Sequence, residues 1–314
     1  ADRRDGLNNA AMVSGYRGSP LGGIDTLMLG NSEELAQNNI EFVPGLNEDL
    51  GATTVWGSQL ANRNFDGKFD GVLGMWYGKA PGVDRSGDAI RHANVCGVDP
   101  KGGVLLVAGD DPASKSSTLA SESEFALLHF QTPILYPGSV QEVADYGRIG
   151  YELSRYSGLW VSLKIVTNVA DGYSTIKVGP GRVQIERPKF EWEGRPWQHT
   201  QQDALFGPFA VRQELEIHEG RLEATDAFTR LNKLDITSGA ASDAKIGLVA
   251  AGKTYYDLRE ALDRMGLDEE ALQRRGIRIY KPAVVWPLEP TAIREFAKGL
   301  DTIVVVEEKR AFVE

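Results

Sequence analysis

Cysteine is almost absent: Cys96 is the only one in 314 residues. The chain can therefore build neither a disulfide framework nor a cysteine-ligated iron–sulfur cluster from its own side chains. Histidine is scarce as well. His92, His129, His199 and His218 share no metal-ligand spacing and read as surface or packed polar residues. No Ser/His/Asp set stands out. The longest apolar runs, such as 104–108 and 303–306, fall far short of the roughly 20 residues that a membrane-spanning helix needs. Positive charge is in deficit, with 34 Lys and Arg against 44 Asp and Glu, a net charge of −10. That balance disfavours a nucleic-acid surface and suits a cytoplasmic enzyme. The start, Ala1 to Asp5, has no apolar stretch behind it, so no signal peptide is expected. With no initiator Met and a stop just after a strand-like run, the chain is expected to be a piece of something longer.

What is present is ordinary globular material, 42% hydrophobic, long enough for two domains of ~150 residues. Residues 1–13 read as the end of a helix running into a strand. Further strands are expected at 71–76, 102–108, 134–136 and 158–166, with helices at 89–95, 119–128 and 140–154. This alternation predicts an α/β fold with a mainly parallel sheet and right-handed crossovers. Residues 172–243 lose the pattern. They hold Gly179, Pro180 and Gly181, irregular sequence around Trp192 and Trp197, and a helix near 203–216. Residues 244–314 return to strand–helix order. The expected division is therefore 1–171, a connector at 172–243, and a smaller α/β domain at 244–314.

Three stretches carry candidate chemistry. In 40–56, Ile40, Phe42 and Val43 form a strand that Pro44 and Gly45 end. Asn47 then caps a helix whose first turn holds Glu48 and Asp49. Glu48 is either a complement to the helix dipole or a carboxylate set where parallel sheets bind ligands. Residues 14–23, SGYRGSPLGG, form a turn whose glycines let backbone approach a ligand closely, although their spacing is not a dinucleotide fingerprint. A second glycine-rich loop is expected at 77–88, where Lys79 and Arg85 are either an anion site or solvated charges. Residues 247–254, GLVAAGKT, match a phosphate-loop pattern letter for letter. Their central Leu248, Val249, Ala250 and Ala251 belong inside a strand, so a nucleotide hydrolase is kept only as an alternative. A non-catalytic assembly module is another.

Taken in order, 15–20, Asn47-Glu48, 77–88 and 109–118 resemble the thiamine-diphosphate-dependent 2-oxoacid:ferredoxin oxidoreductases, above all the fused indolepyruvate form. The likeness runs over nearly the whole chain and is strongest over 14–164. It implies a pyrimidine-binding domain followed by a domain like the C-terminal one of transketolase. It gives Glu48 the role of the glutamate that bonds N1′ of the cofactor's pyrimidine. Arg17 and Ser19 fall in the family's Tyr-Pro-x-Thr-Pro turn near the substrate, which here reads Tyr16-Arg17-Gly18-Ser19-Pro20 and so departs from it. Lys79 and Gly82 match a Lys-x-x-Gly turn. Lys79 is thereby implied as a substrate contact, and Gly78 and Gly82 as cofactor contacts. Asp110 and Asp111, with Ser116 and Ser117, match a loop near the active site, and the two aspartates are thereby implied as cofactor contacts. The resemblance further implies oxidative decarboxylation of an aryl pyruvate to an acyl-CoA, with coenzyme A and ferredoxin as partners, and a homodimer. The Gly-Asp-Gly…Asn motif for diphosphate and Mg²⁺ is missing, and so are the cysteines for 4Fe–4S clusters. Those parts are expected elsewhere in a longer enzyme, and this portion is expected to be inactive alone.

Overall fold

A computed structural model describes residues 6–179, 181–203, 205–239 and 243–314. The helix end expected at the start falls partly on residues 1–5, outside the described range, and Pro180 lies outside it too. Six strands pair in parallel: β1 (Ala10–Gly15), β2 (Ile40–Phe42), β3 (Val72–Lys79), β4 (Gly103–Asp110), β5 (Ile134–Leu135) and β6 (Val161–Val166). A hairpin, β7 (Glu191–Trp192) and β8 (Arg195–Pro196), follows in the connector. Later strands are β9 (Ile236–Ser238), β10 (Ile246–Ala250), β11 (Ile277–Lys281), β12 (Val284–Trp286) and β13 (Thr302–Val306). The larger sheet has seven strands in the order β12-β5-β6-β4-β3-β1-β2, and the smaller four in the order β13-β10-β11-β9. The expected class, α/β with mainly parallel sheets, is the one observed.

The core explains the order. Every residue of β4 and β6 is buried, as central parallel strands covered on both faces require. Helix Glu48–Gln59 lies on one face, packing Ala52 and Val55 inward. Helix Val140–Ser157 covers β4 and β6. Ser139 caps its N-terminus, and Gly158 ends it in the left-handed conformation. Inside this packing the Ser154 hydroxyl accepts from Val104 N at 2.8 Å and donates to Leu159 O at 2.6 Å.

Three expectations need correction. The loop expected at 77–88 is a strand end and two helices. β3 runs to Lys79, paired with β1 as far as Tyr77 and with β4 as far as the Lys79–Gly109 pair, and helices Ala80–Arg85 and Gly87–Cys96 follow directly. Glycine content misled here, because Gly78 is held in the ladder with β4 and Gly82 and Gly87 lie in helices. The connector is more regular than expected: Gly207–Glu216, a π-turn at Ile217–Arg221 and Leu222–Leu231 make one continuous helical stretch. Arg221, fully buried, fastens it with bonds to Glu216 at 2.9 Å, Asn94 O at 2.8 Å and Thr200 O at 3.0 Å. Finally, the two sheets share chain across the expected limits. β9 precedes residue 244 yet pairs antiparallel with β11, and β12 follows it yet pairs antiparallel with β5 of the larger sheet. Between the sheets, Lys281 is buried in an ion pair with Glu142, its ammonium 4.7 Å from the Tyr256 ring centre. Backbone also meets backbone there: a Cβ on Gly138 would lie 2.1 Å from Gly252 O.

Candidate functional site

Because β1 to β4 are parallel, the chain leaves all four at one edge of the sheet, the edge where ligands of open α/β sheets bind. Glycine lets these exits touch. A Cβ on Gly15 would lie 2.1 Å from Tyr77 O, one on Gly45 would lie 2.8 Å from Gly15 O, and one on Gly51 would lie 3.0 Å from Gly15 Cα. No residue with a side chain fits at such approaches.

Glu48 is the first residue of its helix. Asn47 caps that helix as expected, its Oδ1 accepting from Leu50 N at 2.9 Å. The Trp76 indole N–H donates to the Glu48 carbonyl at 2.9 Å, and this ties the helix start to β3. A Cβ on Gly82 would lie 2.6 Å from Glu48 Cγ and 3.1 Å from its Oε1, so the glutamate stem rests on the Gly82 backbone. The carboxylate is half-buried, at the positive end of a helix. Among the described residues no hydrogen bond or ion pair engages it.

The other candidates gather nearby, in different states. Lys79 ends β3 and lays its stem across Gly18, where a Cβ would meet its Cδ at 3.1 Å. The Ser19 hydroxyl is 2.5 Å from that of Ser116, which joins the exits of β1 and β4. Arg17 is exposed in the same turn. Gly78 is buried and faces the Trp76 ring, which a Cβ would meet at 2.6 Å; it serves packing.

Asp110 and Asp111 are turned to the protein's own donors. Asp110 is not in a loop: it is the last residue of β4, paired with Val166 and fully buried. Its carboxylate accepts from the Ser123 hydroxyl at 2.6 Å and from Ser123 N at 2.9 Å. Lys164 Nζ lies 3.8 Å away and is also paired with Glu124. Burial pushes the Asp110 carboxyl up to about 6 against the pull of Lys164. At Asp111 burial acts upward as well, but the N–H groups of Ser116, Lys115 and Ser117 donate to it and hold it down at about 2. Asp111 thus shapes the turn that brings Ser116 to Ser19.

Sequence reading missed the segment after β13. There the Glu307 carboxylate accepts from Phe312 N at 3.0 Å and Val313 N at 2.9 Å, and so folds the chain back. Phe312 packs edge-on against Phe125. Lys309 and Arg310 are brought to a cleft of about 290 Å³ that Lys79 also lines. Their position just past a strand end was the available signal. The phosphate-loop look-alike at 247–254, in contrast, is the end of β10 followed at once by the start of helix Gly252–Arg264. Residues 246–249 pair on both sides, with β11 and β13, and Ala250 pairs with β13, so these backbone donors are not free to cradle a phosphate. Lys253 is paired with Asp257.

Fold and edge together define an α/β protein with mainly parallel sheets and a free carboxylate among convergent strand exits. Comparison with known proteins narrows this. Residues 236–314 match the family model described as "Indolepyruvate oxidoreductase domain"; that range holds the second sheet and β12, not the 14–164 stretch that carries the motifs. The indolepyruvate oxidoreductase subunit IorA of Archaeoglobus fulgidus is 27% identical over 217 residues, 69% of this chain and 32% of that protein. The same subunit of Pyrococcus abyssi is 25% identical over 253 residues, 78% of this chain and 36% of that protein. The chain thus spans about a third of the length of these curated relatives. Among solved structures, the 2-oxoglutarate:ferredoxin oxidoreductase of Magnetococcus marinus superposes with a TM-score of 0.67 at 14% identity, over 94% of this chain and 54% of that one. At that identity the likeness shows the fold. The resemblance to these oxidoreductases read from the sequence is borne out. Among the described residues, no helix is long and apolar enough to cross a membrane.

Proposed function

We propose that this chain is the pyrimidine-binding part of an indolepyruvate-type 2-oxoacid oxidoreductase, and that Glu48 is its cofactor-activating acid. The observation that carries the reading is the Glu48 carboxylate itself. It is fixed at a helix start by Asn47 and Trp76, seated on Gly82, and left without a partner among the described residues. A carboxylate held at the edge where strand exits converge, and answered by nothing among the described residues, is set to meet a ligand.

The residues present fit the pyrimidine end of thiamine diphosphate. Glu48 supplies one acid, and Gly15, Gly18 and Gly82 keep the floor low. The diphosphate and Mg²⁺ belong, on this reading, to the remainder of the enzyme, as the missing Gly-Asp-Gly…Asn motif implies. When bound, the cofactor would supply a carbon acid whose deprotonated form is nucleophilic toward a 2-oxo carbon. The protein's part in that deprotonation is Glu48, which holds or releases a proton at the atom it bonds. General acid–base help of this kind contributes ~10²–10⁴ in rate. Ser19, Arg17 and Lys79 stand beside it as substrate contacts. Coenzyme A, ferredoxin, 4Fe–4S clusters and a dimeric assembly belong to the same reading of the whole enzyme. So does a cytoplasmic location.

The test is dye reduction coupled to aryl-pyruvate decarboxylation by the full-length enzyme at saturating thiamine diphosphate. Glu48→Gln keeps the shape and removes the acid, and turnover should drop by at least ~10²-fold. Asp49→Asn, one residue on, should be mild. Near-normal turnover in Glu48→Gln would end the assignment.

A further inference from the structure

We infer that the cleft shared by Lys79, Lys309 and Arg310 is an oxyanion site, taking a carboxylate or phosphate group of a substrate that reacts at the Glu48 end. This rests on the function proposed above and adds residues that it does not contain. The cleft lies between the end of β3, the loop 117–122 and the segment after β13, and holds about 290 Å³. Its cations are fixed by construction. The Glu307 turn folds the last segment back, and Phe312 against Phe125 anchors it. Arg310 lies with its guanidinium carbon 4.3 Å from the Phe125 ring centre and pairs with Glu122. Lys309 donates to Ala120 O at 2.7 Å, which uses one of its three N–H bonds and neutralises none of its charge. The Lys79 stem is pinned over Gly18, and among the described residues no carboxylate pairs with its ammonium.

The balance of charge in the cleft is what points to an anion. Glu122 is taken by Arg310 and buried, which leaves Asp84 as the one other carboxylate among the described residues lining the cleft, against two unpaired ammonium groups. Ser117 and Thr118 line the same wall, and their hydroxyls suit oxygens of a carboxylate or phosphate. The cleft is next to the proposed site by covalent geometry. The helix that starts after Lys79 gives Pro81 to the cleft and Gly82 to the floor under Glu48. An anion held at Lys79 and Lys309 would therefore lie within one helical turn of the residue that seats the acid. Two substrates of the proposed reaction carry such a group: the 2-oxoacid, through its carboxylate, and coenzyme A, through its phosphates.

The experiment measures binding to the full-length enzyme by calorimetry, with phenylpyruvate and with adenosine 3′,5′-bisphosphate as separate probes. Lys309→Gln and Lys79→Gln are compared with the unaltered protein, with circular dichroism to check folding. Lys309 is on an exposed segment, so its variant serves if Lys79→Gln fails to fold. Loss of a charged hydrogen bond should weaken the resident anion about tenfold, more in the double variant, with a shallower dependence on salt. Weakening of phenylpyruvate alone assigns the site to the 2-oxoacid, and weakening of the nucleotide alone assigns it to coenzyme A. If neither probe loses more than about twofold in folded variants, against the expected tenfold, the inference is wrong. Glu48→Gln should bind both probes unchanged. Normal turnover in that variant would instead overturn the function proposed above and leave the binding result to judge the cleft by itself.

Discussion

Glu48 and Asp110 are two carboxylates on one edge of one sheet, the first after β2 and the second at the end of β4. They differ in what surrounds them. Glu48 is half-buried, capped from below by Asn47 and Trp76, and its carboxylate meets nothing of the protein's own among the described residues. Asp110 is sealed in, with Ser123 donating twice and Lys164 beside it. The same residue chemistry at equivalent places thus gives a candidate acid in one case and an internal strut in the other. The difference is set by depth and by partners, both of which come from elsewhere in the chain.

The largest structural effect is expected at Asp110. Asp110→Ala leaves Lys164 buried with Glu124 alone and strips Ser123 of its acceptor. Breaking a buried charged cluster of this kind should cost about 3 kcal/mol, read by chemical denaturation. The same change at Glu48, Glu48→Ala, should alter stability by less than about 0.5 kcal/mol, because no internal bond is lost.

A smaller, opposite pattern is expected at Gly82. Gly82→Ala places a methyl 2.6 Å from Glu48 Cγ, at the flexible stem rather than at backbone. Stability should change little, since alanine favours the helix Ala80–Arg85. Turnover of the full-length enzyme should fall about tenfold or more as the acid is displaced by a fraction of an ångström. Equal turnover would mean that the seat of Glu48 has no bearing on rate.

The smallest effect is a pH profile. The folded Asp110 carboxyl, pushed up to about 6 by burial, lies above its unfolded value of ~3.9. Between those values the folded state holds a proton that the unfolded state has released. This contribution to stability is full below about 4 and is lost as pH rises through about 6. Asp110→Asn should flatten the melting temperature across that window and shift stability at pH 5 by only about 1 kcal/mol.

Much of this comparison was legible in the sequence on the Glu48 side and little on the Asp110 side. Asn47, the Pro44-Gly45 break and an acid in a first turn are local signals, and local signals place a helix start well. Asp110 was read as a loop residue because Asp-Asp-Pro looks like a turn. Its inward direction depends on Ser123 and Lys164, which only the fold brings near. The regularity of 77–88 was hidden for a related reason: glycines at 78 and 82 fit the Trp76 ring and the Glu48 stem, and they do not mark a flexible loop. Lys309 and Arg310 were overlooked because their cleft joins residues more than half the chain apart.

The central claim is that Glu48 acts on a proton of a bound cofactor. Its most direct test is the rate of hydrogen–deuterium exchange at C2 of thiamine diphosphate bound to the full-length enzyme, followed by quenching and NMR without any 2-oxoacid present. In Glu48→Gln the exchange should slow by at least ~10²-fold with the cofactor still bound, while Asp49→Asn stays near the unaltered rate. An unchanged exchange rate in cofactor-loaded Glu48→Gln would contradict the account.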